Sequence, residues 1–269
     1  MVATRFVVHE IGPAGLALLR YLIGVACLAP FALLGERVRF AGRDIVPIGV
    51  LGILQFGVLI ALLNVGLRAV PAGPAALIFS TFPLLTMLFA AALGHEALSR
   101  AKSIGVLLTI LGVGLALGER LRGAVYDGAF WLGALMVLAS AALGAICSVL
   151  YRPYLRKYPA LPVGAFAMLA SVGFLALLAA GEGSYAAMPH LSGPGWLAIL
   201  FIGFSSGVGY FLWLWALKHA SATRVTVFLS LSPVTAAALG ALFLGETVST
   251  TFLAGLAAVA LGLWFAHRP

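Results

Sequence analysis

The amino-acid sequence has 269 residues, of which 63% are apolar and only 9% are charged. One soluble domain could not hide so much apolar surface behind so few charges, and the mean hydropathy of +1.13 extends over the whole chain, so several membrane-spanning segments are predicted. The formal net charge of +8 is dispersed between apolar runs instead of clustered on one face, which argues against nucleic acid as a partner.

A membrane-spanning helix needs about 20 mainly apolar residues, and nine runs of the sequence meet or approach this length. In chain order they are Pro13–Leu34, Ile45–Val65, Ala72–Leu93, Ser103–Leu117, Phe130–Tyr151, Leu161–Ala180, Gly195–Leu217, Val225–Leu244 and Phe252–Ala266. Open sheet edges are not tolerated in hydrocarbon, and the sequence lacks alternating strand patterns. The sequence therefore predicts an all-α integral membrane protein.

The two halves of the sequence repeat each other at a shift of 150 positions. The shift places Pro83 on Pro233, Glu96 on Glu246, Ser99 on Ser249, Gly105 on Gly255 and Gly112 on Gly262. Chance agreement of these residue types at one shift is improbable, so we predict two repeats, residues 1–124 and 125–269.

The run Phe130–Tyr151 has no counterpart in the first repeat, because that counterpart would precede residue 1. We expect a five-helix repeat whose first copy lacks its first helix, either through truncation or through loss. Five is an odd number, so the second repeat would enter the membrane from the opposite side. The basic residues agree with this inverted topology, since eleven fall in predicted cytoplasmic segments and four in predicted outer segments.

Several motifs resemble those of a known family. They are the helix entry Val70-Pro71-Ala72-Gly73-Pro74, the paired Pro83 and Pro233, a closing Gly-Glu or Gly-His-Glu followed by Ser, and the segment Gly207–Glu246. In these features the chain resembles the EamA-type drug/metabolite transporter (DMT) superfamily. The resemblance implies a ten-helix fold of two inverted five-helix repeats, with a central cavity between the halves. It also implies a secondary transporter that exports amino acids or related metabolites across the bacterial inner membrane by alternating access.

Pro83 and Pro233 are predicted to lie near the middle of their helices, where proline removes a backbone hydrogen bond and bends the helix. Freed carbonyl groups are tolerated in membranes where they are buried in protein or face a watery cavity. Hydroxyl side chains flank both prolines at the same depth, namely Ser80, Thr81, Ser230 and Ser232. We expect these six residues to line the substrate cavity; alternatively, the hydroxyls only pack the bends.

Tyr210 and Trp213 share one face of their helix and lie deep in it, where such side chains need a polar partner or a substrate. Arg20 lies inside a predicted span, about 10 Å from its outer end at 1.5 Å per residue. A charge at this depth is a functional-site hypothesis, and a guanidinium suits a substrate carboxylate. Alternatively, Arg20 extends outward to lipid headgroups or pairs with Glu10.

Asn64 and Ser148, like Gln55, are uncharged polar residues within predicted spans. They are candidates for substrate binding, although such groups also hold membrane helices together. All eight acidic residues lie at the ends of predicted spans, so uncoupled or weakly coupled transport is favoured. Cys27 and Cys147 fall in apolar runs, which indicates no metal site, and no cofactor is expected.

An enzyme is the least favoured alternative. The string Gly203-Phe204-Ser205-Ser206-Gly207 matches the Gly-x-Ser-x-Gly motif of serine hydrolases, but no histidine is predicted at the depth of Ser205. Small residues at the spacing of Gly203 and Gly207, or of Gly114 and Gly118, are typical of tightly packed membrane helices. A channel or a non-transporting scaffold stays open as an alternative. The small-residue-rich last helix of each half also leaves a homodimer contact open.

Overall fold

The computed structural model describes residues 1–34, 38–94, 104–105, 107–115, 128–183, 191–226, 229, 232–245 and 248–266. Regular secondary structure in these residues is helical throughout, as predicted. The α-helices are α1 (Val2–Val7), α2 (Pro13–Leu34), α3 (Gly42–Gly52), α4 (Leu59–Ala69), α5 (Ala72–Phe79), α6 (Phe82–Ala92), α7 (Gly128–Leu150), α8 (Arg152–Lys157), α9 (Ala160–Gly181), α10 (Gly193–His219), α11 (Ala222–Thr226), α12 (Ser232–Leu244) and α13 (Thr250–Ala266). A π-helical segment, Ile53–Val58, joins α3 to α4, and residues 104–105 and 107–115 are also helical.

Six helical stretches of the described residues are long and apolar enough to cross a membrane. They are Pro13–Phe31, Gly42–Ala69, Ala72–Ala92, Gly128–Lys157, Ala160–Gly181 and Gly193–His219. Each corresponds to one of the predicted runs. Of the other three runs, Phe252–Ala266 lies in α13, whereas Ser103–Leu117 and Val225–Leu244 lie partly outside the described residues.

The chain forms two compact units, and each unit draws on both halves of the sequence. Unit A comprises Ala3–Val65 and Cys147–Ser221. Unit B comprises Met1–Val2, Gly66–Ile146 and Ala222–Pro269. Residues of the two predicted repeats therefore pack together inside each unit.

In unit A, a contact between a helix of the first half and a helix of the second half recurs between the equivalent helices of the opposite halves. Helix α10 packs on α2, and α9 packs on α3 and on the π-helical segment. A Cβ at Gly207 would lie 2.9 Å from the carbonyl oxygen of Gly24, and a Cβ at Gly57 would lie 2.8 Å from the ring of Phe174. The shift of 150 positions converts one residue pair into the other, because it places position 24 on 174 and position 57 on 207.

Unit B shows the same exchange. Helix α12 packs on α5, and α11 packs on α6. A Cβ at Gly112 would lie 2.6 Å from the carbonyl oxygen of Gly255, and one at Gly262 would lie 2.7 Å from the carbonyl oxygen of Gly105. Since Gly105 and Gly112 correspond to Gly255 and Gly262, the small-residue faces of the two last helices pack against each other within the chain.

In unit A, carboxylate groups form hydrogen bonds and an ion pair that link the ends of different helices. Glu10 accepts hydrogen bonds from the backbone N–H of Ser192, at 3.0 Å, and from the Ser192 hydroxyl, at 3.0 Å. Asp44, at the start of α3, accepts from the Tyr158 hydroxyl at 2.8 Å and pairs with the Lys157 ammonium at 3.2 Å. These contacts link segments that lie more than a hundred residues apart in sequence, so they hold the ends of the unit A helices in register.

Candidate functional site

Three aromatic rings meet in unit A, and we call Tyr21, Phe56 and Tyr210 the aromatic cluster. The ring centroids of Tyr21 and Phe56 are 5.5 Å apart, those of Phe56 and Tyr210 are 4.7 Å apart, and those of Tyr21 and Tyr210 are 6.0 Å apart. Tyr21 and Phe56 lie close to the midpoints of the stretches Pro13–Phe31 and Gly42–Ala69. The aromatic cluster therefore lies near the middle of the membrane-compatible helices that supply it.

Arg20 lies beside the aromatic cluster and is held by a serine of another helix. Its Nε donates a hydrogen bond to Ser206 Oγ at 2.6 Å, and the Ser206 hydroxyl donates to the Ile202 carbonyl oxygen at 2.6 Å. The guanidinium carbon is 5.7 Å from the centroid of the Tyr21 ring. Among the described residues, no other hydrogen bond or ion pair engages Arg20, and Glu10 binds Ser192 instead. The terminal nitrogens of Arg20 are thus available to an anionic ligand.

Close packing of α2 on α10 makes this hydrogen bond possible. A Cβ at Gly203 would lie 2.6 Å from the Cβ of Ile23, and a Cβ at Gly207 would lie 3.1 Å from the Cα of Gly24. The predicted packing role of Gly203 and Gly207 is therefore confirmed. The same prediction is wrong for Gly114, since a Cβ there would meet no atom within 4 Å; its predicted companion Gly118 lies outside the described residues.

The π-helical segment brings Phe56 into the aromatic cluster. A π-helix accommodates an extra residue within the turn, and short π segments occur frequently at functional sites. In this segment Gln55 is buried and Gly57 packs on Phe174 of α9. The sequence predicted a regular helix here, because a π segment without proline leaves no residue pattern that distinguishes it.

Several buried polar atoms of unit A have no hydrogen-bond partner in the structure. They are Tyr21 OH, Gln55 Oε1, Asn64 Oδ1, Tyr151 OH and Ser171 Oγ. Sequence reasoning missed Tyr21, Phe56 and Ser206, which lie around Arg20 in the structure. The one available signal was the adjacency of Tyr21 to Arg20 in the sequence.

The other predicted site residues of unit A take different positions. Asn64 is buried, and its Nδ2 donates to the Pro13 carbonyl oxygen at 2.9 Å, which is a bond between helices. Ser148 is fully buried on α7, and Trp213 is half-buried on α10. Of the predicted set, the structure therefore brings Arg20 and Tyr210 together at the aromatic cluster.

Pro83 is not in the middle of a helix, which corrects the prediction. Helix α5 ends at Phe79, and Pro83 lies in the first turn of α6, where the missing N–H costs no helical hydrogen bond. The Ser80 hydroxyl donates to the Leu77 carbonyl oxygen at 2.6 Å, and Thr81 Oγ1 donates to the Ile78 carbonyl oxygen at 2.8 Å. The same two carbonyl oxygens accept from the backbone N–H groups of Ser80 and Thr81, so each hydroxyl adds a second hydrogen bond at the break between the helices.

The second proline, Pro233, lies at the start of the described part of α12 and is buried. The residues immediately before Ser232 lie outside the described ranges, so the predicted mid-helix position of Pro233 stays a prediction. The Ser232 hydroxyl is buried without a hydrogen-bond partner, and Ser230 lies outside the described residues. Ser80, Thr81, Pro83, Ser232 and Pro233 all belong to unit B, and their role in a cavity stays a prediction.

The described acidic residues are Glu10, Asp44 and Glu182, and all three lie at helix ends. Glu182 accepts a hydrogen bond from the backbone N–H of Ala14 at 3.0 Å, while Glu10 and Asp44 make the contacts given above. The other five acidic residues of the sequence lie outside the described ranges. Within those ranges, no group of three or more His, Cys, Asp or Glu side chains could hold a metal ion.

Ser205 lacks the setting of a hydrolase nucleophile. The motif from Gly203 to Gly207 lies inside the continuous helix α10, and Ser205 is exposed on it. A nucleophile elbow needs a sharp turn between a strand and a helix. The local geometry instead directs Ser206, the neighbouring residue, toward Arg20.

These features define a multi-pass helical membrane protein. The chain belongs to the EamA-like transporter family, whose model matches residues 1–118 and 131–267. It is a membrane transporter of the drug/metabolite kind, and its predicted localisation as a multi-pass protein of the inner cell membrane is confirmed.

Three relatives span nearly the whole chain. An "uncharacterized transporter" of Archaeoglobus fulgidus is 27% identical over 99% of this chain and 92% of its own length. A "probable terminal-alkyne amino-acid exporter" of Streptantibioticus cattleyicolor is 30% identical over 99% of this chain and 88% of its own. The "uncharacterized inner membrane transporter YedA" of Escherichia coli K12 is 28% identical over 91% and 78%.

One solved crystal structure has a fold similar to that of this chain. It superposes with a TM-score of 0.73 at 23% sequence identity and covers 98% of this chain and 90% of that one. At this level of identity the likeness concerns the fold alone.

Proposed function

We propose that this transporter exports amino acids or closely related metabolites across the inner membrane, and that Arg20 binds their carboxylate group. The observation that carries the proposal is the position of Arg20, which lies in a membrane-compatible helix, is oriented by Ser206, and pairs with no carboxylate of the described residues. A charge at this depth is costly and is retained chiefly where it serves binding or transport.

The geometry suits a carboxylate more than a phosphate-rich ligand. One arginine offers two terminal nitrogens for a bidentate bond to a single carboxylate, and the partly exposed ring of Tyr210 provides aromatic surface for an apolar substituent. The amino-acid exporter from Streptantibioticus cattleyicolor supports the same substrate class. An amino acid with an apolar side chain offers both a carboxylate for Arg20 and an apolar group for the Tyr210 ring.

We also propose the inverted-repeat arrangement of the ten-helix carriers and transport by alternating access. The exchanged contacts of Gly24 with Gly207 and of Gly57 with Phe174 support a twofold relation between the halves. The bias of basic residues toward one set of segments supports an axis in the membrane plane.

The partners of this function are a small-molecule substrate and the lipid bilayer, without nucleic acid and without a cofactor. The protein is a carrier and not an enzyme, in keeping with a family of transporters and with the exposed position of Ser205. A homodimer stays a proposal without a defined surface, because the faces that suggested it pack against each other in unit B.

The test is counterflow of labelled L-phenylalanine and L-leucine in proteoliposomes. Arg20→Gln removes the charge but keeps a donor for Ser206, and we expect it to weaken the apparent affinity about tenfold or more, the value of a hydrogen-bonded ion pair. Ser205→Ala, an exposed serine one residue from Ser206, is the matched control and should transport like the wild type. Absence of flux in the wild type would overturn amino-acid export, and unchanged affinity in Arg20→Gln would remove Arg20 from the site.

A further inference from the structure

Basic side chains converge at one end of unit A. Arg43 lies in the first turn of α3, Arg152 and Arg156 lie on α8, and Lys218 lies in the last turn of α10. We call these four residues the basic patch. In the sequence they belong to three separate segments between predicted spans, so only the packing of the helices brings them to the same end.

Two residues at the end of α8 join the members of the basic patch. The Lys157 ammonium pairs with Asp44, the neighbour of Arg43, at 3.2 Å. The Lys218 ammonium donates a hydrogen bond to the Tyr158 carbonyl oxygen at 3.5 Å, and α8 packs against α10. The start of α3, the end of α8 and the end of α10 therefore lie side by side.

Little negative charge balances the basic patch. Of the three acidic residues in the described ranges, Asp44 alone lies at this end of the helices, and its buried carboxylate is occupied by the contacts given above. Within the same ranges, no hydrogen bond or ion pair engages Arg43, Arg152 or Arg156. Arg43 and Arg156 are exposed, and Arg152 is half-buried. Their guanidinium groups are thus available to an external anion.

Exposed apolar side chains adjoin the basic patch. Ile45 and Val46 are exposed directly after Arg43, and Trp215 is exposed one turn before Lys218. Their helices belong to membrane-compatible stretches, where apolar surface of this kind faces lipid. Tryptophan is enriched at the level of the lipid headgroups. The basic patch therefore lies where the hydrocarbon ends and the headgroup phosphates begin.

We propose that the basic patch binds the headgroups of anionic phospholipids. Guanidinium groups match phosphate oxygens in bidentate geometry, and basic clusters directly beside a membrane span attract anionic lipids. A soluble anion would meet the same charges, but only a lipid also covers the apolar side chains of Ile45, Val46 and Trp215. The bias of basic residues assigns this end to the cytoplasmic leaflet. Lipid binding here is independent of the substrate that the protein carries.

The experiment titrates the purified full chain in detergent at low ionic strength with dioleoyl phosphatidylglycerol and measures the melting temperature. Two other probes separate the sources of binding. Dioleoyl phosphatidylcholine has the same acyl chains without net charge, and glycerol 3-phosphate has the phosphate without acyl chains.

The variants remove charge from two different helices. They are the double variant Arg152→Gln/Arg156→Gln on α8 and the single variant Arg43→Gln on α3, so each tests the basic patch independently. Arg68→Gln is the matched control, because Arg68 is an exposed arginine near the opposite end of the stretch Gly42–Ala69. Glutamine is nearly as good a helix former as arginine, so all variants should melt like the wild type without lipid.

We expect the wild type and Arg68→Gln to bind phosphatidylglycerol about tenfold or more tightly than phosphatidylcholine. The double variant should lose about tenfold of this affinity and Arg43→Gln about threefold or more, and high salt should remove the difference between the two lipids. Equal binding of both lipids by the wild type would overturn the proposal. Unchanged affinity in both patch variants, or an equal loss in Arg68→Gln, would overturn it too. Tighter binding of glycerol 3-phosphate than of phosphatidylglycerol would assign the patch to a soluble anion instead.

Discussion

The guanidinium of Arg20 shows how a single residue acquires a defined role in a membrane protein. The sequence left three partners open for it, namely a substrate, Glu10 and the lipid headgroups. In the structure Glu10 is engaged by Ser192, and Ser206 holds the Nε of Arg20. Ser206 donates its own proton to a helix carbonyl, so it can only accept from Arg20, which fixes the orientation of the guanidinium.

Asn64 is a polar residue to which the structure gives a contact between helices. Its Nδ2 bonds to the Pro13 carbonyl oxygen at the start of α2, so we expect Asn64→Leu to lower the free energy of unfolding by about 1 kcal/mol, the usual value of an interhelical hydrogen bond. Substrate affinity should stay within about twofold of the wild type. Thermal melting and counterflow on the same preparation separate the two effects. A tenfold affinity loss at an unchanged melting temperature would instead make Asn64 a binding residue.

Among the secondary-structure elements, α2 and α10 depend on glycine for their close packing. A Cβ at Gly207 would lie 2.9 Å from a backbone oxygen of Gly24, and backbone cannot move aside as a side chain can. Near Pro83 the helix is interrupted, since α5 ends at Phe79 and α6 begins at Phe82. Hydroxyl groups of Ser80 and Thr81 add a second hydrogen bond to carbonyl groups at this break, which also accept backbone N–H groups.

We expect Gly207→Ala to destabilise the protein by about 1–3 kcal/mol, the range for overpacked cores, and to lower the melting temperature in detergent. Gly209→Ala is the matched control on the same helix, because a Cβ at Gly209 would meet no atom within 4 Å. Alanine is also the better helix former, so this control should melt at the wild-type temperature or slightly above it. Equal melting temperatures for the two variants would contradict the packing of α2 on α10.

At the scale of the whole molecule, the repeat governs which helices pack together. In both units the contacts of one half recur with the halves exchanged, as in the pairs Gly112 with Gly255 and Gly105 with Gly262. An inverted repeat further requires that equivalent positions lie on opposite sides of the membrane.

Single cysteines at Gly42 and Gly193 test that requirement. The two positions are equivalent to within one residue under the shift of 150, both are exposed, and a Cβ at either would meet no atom within 4 Å. With Cys27 and Cys147 replaced by Ala, a membrane-impermeant maleimide should label Gly42→Cys only from the cytoplasmic side. Gly193→Cys should be labelled only from the outside. Labelling of both from one side would contradict the inverted topology.

The amino-acid sequence by itself determined that this chain is helical, spans a membrane several times and belongs to its family. Hydropathy acts locally and adds up along a run, so spans such as Gly195–Leu217 were predicted close to their observed positions. The repeat was equally visible, because it is a property of residue order. The packing role of Gly203 and Gly207 was also predictable, since close helix contacts leave room only for small residues.

Only the tertiary structure decided which polar residues meet. The bond between Arg20 and Ser206 joins positions 186 residues apart, and no local pattern states such a pairing. The π-helical segment that places Phe56 beside Tyr21 depends on packing of α9 against it, and the burial of the Tyr21 and Tyr151 hydroxyls depends on helices from both halves of the sequence. The composition of a helix determines whether lipid or water surrounds it. A binding site, in contrast, forms only where side chains from several helices converge in space.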